Sequence, residues 1–420
     1  MLAILSPLAG GGDLLMRTLP QLLVILITAR VGGAMLRRFG QPQVAGEIAA
    51  GLVLGPSVFG HLAPEAFANL FGTVGADGAL PLIGQFGLLF LTLLMGMEFD
   101  FSHLRTAAKT ATAVALGGIA LPFAMGVPLA WTLHERLQLT VDRDAMALFT
   151  ATALSITSIP VMGRILMDFG WTRTRFGLVA ITAAGLDDAL GWILLAAVST
   201  VARGGSAGGT IASMMGLTAA FLAFALLVVR PLVRRFVTLR IERSGNLDVV
   251  SFTTLLVVIF ACAWITEWIG VFALFGSFVL GCILWDQTAL RQALQRQLAP
   301  IVYALFLPVF FALTGLRTDT GLLQSTDAWL LCGLVLLVGC AGKFLGCGSA
   351  ARLCGLSWRE SASVGILMNT RGLMGLVAIE VGRTIGVIDG AAYSMLVLMA
   401  LATTFLTTPV LRWLQPARTG

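Results

Sequence analysis

Along the 420-residue chain, long apolar runs alternate with short clusters of charge, Gly or Pro. About 20 consecutive apolar residues, wound as a helix, cross the ~30 Å hydrocarbon layer of a bilayer, so each run predicts a membrane-spanning helix. About thirteen are predicted, at 15–37, 41–60, 80–99, 107–133, 144–168, 174–201, 208–233, 246–268, 270–286, 293–316, 326–353, 359–382 and 390–414, the second and ninth being short. The connections are short, so no soluble domain is inserted, and the few residues after the last run lead us to expect no cytosolic nucleotide-binding regulator.

Composition sharpens this reading. Hydrophobic residues make up 58% of the chain and charged residues 11%, with a mean hydropathy of +0.93. A soluble domain carries roughly a quarter charged residues. The expectation is therefore an all-α polytopic membrane protein forming one membrane domain over 1–420. An outer-membrane barrel is excluded, because its strands alternate apolar and polar residues. The net charge of +6 does not point to nucleic acid, since no basic run is interleaved with aromatics. Arg17 is the first basic residue, so no cleaved signal peptide is expected. The six cysteines lie in or at the ends of apolar runs without metal-ligand spacing and read as packing residues.

Lys and Arg set the expected orientation. The odd-numbered connections and the C-terminus hold seventeen basic residues, against six on the other side. The odd side is then cytoplasmic, the N-terminus outside, and the location a cell inner (plasma) membrane. Arg30, Arg164, Lys343 and Arg371 fall within predicted spans.

A weak internal repeat accompanies the spans. Ala50-Gly-Leu-Val-Leu-Gly55 in the second matches Gly276-Ser-Phe-Val-Leu-Gly281 in the ninth. Gly96-Met-Glu-Phe-Asp100 in the third matches Gly315-Leu-Arg-Thr-Asp319 in the tenth. Both pairs are seven spans apart, and an odd offset inverts orientation. Two inverted six-helix repeats joined by one linker helix are predicted, an arrangement that recurs in transporters.

Charge within the bilayer costs about 2.5–3.5 kcal/mol per residue on insertion scales, so it marks function or pairing. Asp187-Asp188 lies halfway along the sixth span. Adjacent carboxylates diverge by ~100° on a helix and can serve different partners. A carboxylate withdrawn from water favours its protonated form, so a proton and a cation can exchange there. Lys343, centred in the eleventh span, is expected to pair with one of the two aspartates. Ser155-Ile-Thr-Ser-Ile-Pro160 in the fifth span and Met368-Asn-Thr-Arg-Gly372 in the twelfth put small polar residues with Pro or Gly at membrane depth. Both read as broken helices, with Pro160 freeing the carbonyl of Ile156. Asn369, Thr370 and Arg371 are candidates there, Arg371 either balancing helix ends or pairing with Glu380. Glu47, Glu98 and Arg164 read as structural ion-pair members. His61, His103 and His134 lie at loop edges and form no relay. No hydrolase ordering or phosphate loop is present, so neither enzymatic chemistry nor a cofactor is expected.

These segments resemble the monovalent cation:proton antiporter superfamily, specifically its Kef-type and plant cation/proton-exchanger branch. The resemblance runs through Gln43–Ser57, Ala151–Pro160, Gly185–Trp192, Gly342-Lys343 and Gly365–Gly372. It implies a homodimer in the lipid bilayer, without nucleic acid. It also implies a dimerisation part at 15–99 and 246–316, an ion-transport core at 107–201 and 326–414, and a linker helix at 208–240. Asp188 would be the cation and proton site, Asp187 the partner of Lys343, and Thr157 with Ser158 would lie beside the ion. The function implied is antiport of protons against Na⁺, with Li⁺ or K⁺ as further candidates. Paired-acid members move two protons per sodium. A Kef-like gated potassium channel and a proton-coupled organic cation exporter are the alternatives. Relatives often carry Gln-Asp or Asn-Asp where this chain has Asp187-Asp188; the paired acids favour sodium, whereas the surrounding motif favours potassium.

Overall fold

The computed structural model describes residues 14–41, 43–72, 79–98, 104–172, 174–202 and 207–415. These residues form helices joined by short turns, and the helices that frame the fold are, in order, α1 (Leu14–Arg38), α2 (Gln43–Leu54), α3 (Ala79–Glu98), α4 (Leu104–Leu137), α5 (Arg143–Ser155), α6 (Ile159–Asp168), α7 (Arg175–Ala202) and α8 (Ala207–Phe224). They continue as α9 (Val249–Ile269), α10 (Ala273–Ile283), α11 (Leu307–Leu316), α12 (Thr326–Leu353), α13 (Trp358–Met368), α14 (Gly372–Thr384) and α15 (Gly390–Leu414).

Ten helices among the described residues are long and apolar enough to cross a membrane. The expected thirteen spans are thus met as ten, and the missing three have a physical explanation. The fifth span is the pair α5 and α6, of 13 and 10 residues, and the twelfth is α13 and α14, of 11 and 13. The ninth is α10, with 11 residues. At 1.5 Å per residue none of these reaches across ~30 Å alone.

Two sets of helices pack among themselves. In one, α4 lies against α5, α7 and α12, while α13 and α15 close on α12 and α14 lies on α15. In the other, α1 lies on α2, α2 on α11, α3 on α10 and α11, and α9 on α10. Between them α8 touches α7 of the first set and α9 of the second.

The repeat seen in the sequence has a direct counterpart in this packing. The second span crosses the tenth (α2 on α11), and the ninth crosses the third (α10 on α3), so each repeat lends one helix to the other's partner. The repeated glycines sit at both crossings. A Cβ on Gly281 would stand 2.2 Å from the Leu93 carbonyl oxygen and 2.9 Å from Gly96 Cα. One on Gly315 would stand 2.4 Å from the backbone of Gly51, and one on Gly55 3.0 Å from the Gly315 oxygen. Without a hydrophobic driving force between helices in lipid, close backbone approach at small residues supplies the packing energy.

Replacing Gly281 or Gly315 by Ala is therefore expected to destabilise the protein by about 1–3 kcal/mol or more, because backbone must move to admit the methyl. Gly333→Ala in α12, where a Cβ meets nothing within 4 Å, is the neutral control. Monodisperse protein surviving a heating series in detergent reads both; equal survival of all three variants would refute the close-approach argument.

Candidate ion-binding site

The site is built where two helices stop. Asp142 caps the start of α5, its carboxylate accepting from Ala145 N–H at 2.7 Å. The helix then ends at Ser155, well before Ile159, the last position that Pro160 would by itself permit. Ile156, Thr157 and Ser158 run non-helical, and Pro160 stands in the first turn of α6, where a missing N–H costs nothing. The break therefore precedes the proline, and the proline's role is to start the second half-helix. In the second broken span, α13 opens with a capping box between Ser357 and Glu360 and ends at Met368. Gly372 then begins α14.

The two breaks are stitched together by backbone groups that a continuous helix would have used internally. Ser158 N–H donates to the Thr370 carbonyl at 2.9 Å, and Thr157 Oγ1 donates to the Met368 carbonyl at 2.9 Å. Gly372 is required here, since a Cβ would lie 2.3 Å from Val161 Cγ2. Thr370 hydroxyl turns back to the Leu367 carbonyl, and Asn369 Nδ2 approaches Cys340 Sγ at 3.4 Å.

Arg371 has no exposed surface, and its guanidinium donates to the carbonyls of Ala153 and Leu154 at the end of α5 and to Gly339 of α12, the last at 2.7 Å. A cation at a helix C-terminus offsets the negative end of the dipole and satisfies orphan carbonyls. Of the two roles open to Arg371, balancing helix ends is the one found. Glu380 is engaged elsewhere, by Arg317, Arg383 and Tyr393.

Asp187, Asp188 and Lys343 are all fully buried. Lys343 Nζ lies 3.0 and 3.1 Å from the two Asp187 oxygens, and Thr157 N–H donates to Asp187 Oδ2 at 2.7 Å. The lysine reaches across because α12 lies close on α4, where a Cβ on Gly342 would stand 2.9 Å from Pro122 Cα. Asp188 turns the other way. Neither of its carboxylate oxygens has a hydrogen-bond partner among the described residues. It faces a narrow gap lined by Ile156, Trp192, Leu195, Met374 and Val377. The ~100° divergence of neighbouring helical residues thus separates one committed carboxylate from one uncommitted carboxylate.

Sequence reasoning missed the apolar walls of this gap. Trp192, one turn beyond Asp188, carried the only local signal; Met374 and Val377 carried none, since their place depends on how α14 crosses α7. Glu47, expected as an ion-pair member, is buried and accepts from Gln43 Nε2 at 2.8 Å. His61 and His134 bond the carbonyls of Pro56 and Val141 at helix ends. The side chains of Glu98 and Arg164, and His103, lie outside the described residues.

The pair and its neighbour predict a non-additive stability pattern. Asp187→Asn or Lys343→Met alone leaves one charge buried without its partner, at a cost of about 3–5 kcal/mol. The double variant removes both charges and is expected to melt above either single one in detergent. A double variant that melts at the sum of the two losses would show that the two groups do not act as a pair.

Comparison with known proteins gives a consistent picture. The profile described as "Sodium/hydrogen exchanger, transmembrane" matches residues 23–415. The chain is 35% identical to the Na⁺/H⁺ antiporter NhaS4 of Synechocystis sp., covering 96% of this chain and 98% of that protein. It is 33% identical to cation/H⁺ antiporter 19 of Arabidopsis thaliana, covering 95% of this chain and 50% of that one. The chain thus spans about half the length of its plant relatives. The sodium proton antiporter MjNhaP1 of Methanocaldococcus jannaschii has a similar fold, with a TM-score of 0.61, 16% identity, and coverage of 95% and 97%.

Proposed function

The chain belongs to the transmembrane sodium/hydrogen exchanger family, and from that premise we propose that it is a secondary active antiporter exchanging protons for a monovalent cation. Na⁺ is the proposed cation, with Li⁺ and K⁺ the ions to set beside it. The observation that carries this reading is the uncommitted, fully buried carboxylate of Asp188.

The mechanism follows from competition. Hard monovalent cations take oxygen ligands, and Asp188 offers two oxygens that no neighbouring donor occupies. A proton or a cation can neutralise it, and either excludes the other. Bringing a bare carboxylate through hydrocarbon is costly, so Asp188 crosses between water-filled sides with one ion or the other bound. Counter-transport is then obligatory without further machinery. Thr157 and Ser158, at the break beside Asp187, are proposed to border the bound ion. Asp187, held by Lys343 and Thr157, is proposed to tie α7 to α12 and to the first break.

In this reading α4–α7 and α12–α15 form the moving core, and α1–α3 with α9–α11 the fixed scaffold through which two copies dimerise. The segment 208–240 links them. A plasma-membrane location is part of this proposal, with the N-terminus outside and the C-terminus cytoplasmic, an orientation that the distribution of Lys and Arg supports.

The test uses liposomes containing a pH dye and a proton gradient, pulsed with Na⁺, Li⁺, K⁺ or choline. Wild type should respond to Na⁺, and Asp188→Asn should respond to none. Below the pH at which empty Asp188 is half-protonated, each unit fall in pH should raise the half-saturating cation concentration about tenfold, because protons compete for one group. Lys343→Ala should change the pH profile or the charge moved per cycle more than it removes binding. Retained proton-coupled exchange in Asp188→Asn would overturn the site, and a response to no cation by wild type would overturn the antiporter reading.

A further inference from the structure

The two helix sets are joined at their outer ends by a polar contact that cation–proton competition does not use. Arg317 follows the last residue of α11, and its guanidinium donates to the Glu380 carboxylate of α14, the side chains being 13% and 17% exposed. Glu380 is held independently within its own set. Arg383 Nη2 donates to its Oε1 at 3.3 Å and Tyr393 Oη to its Oε2 at 3.1 Å. Arg383 also lies over the Tyr393 ring, 5.6 Å from its centroid. Arg317 belongs to a segment fastened to the scaffold: Ser57 Oγ donates to the Thr318 carbonyl at 3.2 Å and accepts from Thr320 N–H at 2.9 Å. A second bond crosses beside the first, from Asp319 N–H to Ser394 Oγ at 3.1 Å.

The place of this contact matters as much as its chemistry. A cavity of about 430 Å³ opens between the sets, lined by Gln85 and Phe86 of α3, Glu267 of α9, and Val377 and Glu380 of α14. Val377, one turn further in than Glu380, also lines the gap at Asp188. The ion pair therefore stands at the rim of the outer route to the candidate site.

We infer that Arg317 and Glu380 form a latch across the moving boundary, holding the Asp188-bearing helices against the scaffold in the arrangement seen here and parting in each transport cycle. The inference rests on the antiporter reading above. Its reversibility has a structural cause. When Arg317 withdraws toward the water-filled cavity, Glu380 keeps Arg383 and Tyr393, so its carboxylate is not left without a partner. The Lys343–Asp187 pair lies fully buried within one set and does not span the boundary. Arg317 and Glu380 are positioning residues: they bias which side Asp188 faces and do not touch the ion.

The test separates a shift between states from general damage. Arg317→Gln and Glu380→Gln are assayed in liposomes of both orientations, with the cation offered on either face. A population shift raises the half-saturating concentration on one face and lowers it on the other, whereas damage slows both. Opposite changes of about two- to fivefold are expected, the size a partly exposed ion pair can supply. Arg317→Lys should stay near wild type, and the double Gln variant should be no worse than either single one. Unchanged half-saturation on both faces, or additive losses, would overturn the latch. Hydrogen exchange over residues 317–322 and 372–384 reads the latch without transport: faster exchange in Arg317→Gln supports it, and unchanged exchange overturns it. Wild-type vesicles that exchange no cation for protons would count against the antiporter reading, and hydrogen exchange would then decide the latch.

Discussion

A lysine and an aspartate with no exposed surface at mid-membrane stay charged only in each other's company, because neither can recover its hydration energy alone. The geometry around Lys343 and Asp187 serves that requirement. The carboxylate needs more donors than the ammonium supplies, and it finds one in the backbone N–H of Thr157. That N–H is free for the purpose only because the fifth span stops being helical at Ile156. Breaking a helix in a bilayer exposes carbonyls that lipid cannot satisfy. Those of Ala153 and Leu154 are taken by Arg371, which the second broken span delivers. One ion pair thus entails two broken helices, their crossing, and a buried arginine.

Asp188 gains its character from what Asp187 uses up. Lys343 Nζ and Thr157 N–H both go to Asp187, while neither Asp188 oxygen has a partner among the described residues. Two acids of the same residue type, adjacent in sequence, become one engaged and one unengaged carboxylate through the ~100° turn between neighbouring helical residues. The same division of labour appears at the outer boundary, where Glu380 is held by its own helices and shared with Arg317 of the other set.

The scaffold solves a different problem. Its helices meet closely at small residues, with glycine facing glycine at Gly281–Gly96 and Gly315–Gly55, and Ser277 Oγ donates to the Leu89 carbonyl beside the first crossing at 2.6 Å. The two crossings are equivalent under the internal repeat. Contacts are dense inside each set and few polar ones join the two, among them Arg317–Glu380 and Asp319–Ser394.

Fold class, span positions, the repeat and the charged residues at membrane depth were all legible in the chain itself, because hydrocarbon imposes one local rule on every segment: apolar side chains and a helical backbone. That rule acts residue by residue, so it can be read without knowing what lies alongside. It fails for α5–α6, α10 and α13–α14, where neighbours replace lipid as the surroundings and short or interrupted helices become stable. The sequence also named Asp187, Asp188, Lys343 and Arg371 as charges needing partners, but it left open whether Arg371 would meet carbonyls or Glu380. Partner choice is a matter of distances between segments over a hundred residues apart, such as the 217 separating Arg371 from Leu154. Those distances are set by helix crossings at glycine, which no local pattern encodes. The chain by itself therefore determined which groups had to be satisfied within the membrane, and only the tertiary structure decided which group satisfied which, since satisfaction depends on contact and contact on packing.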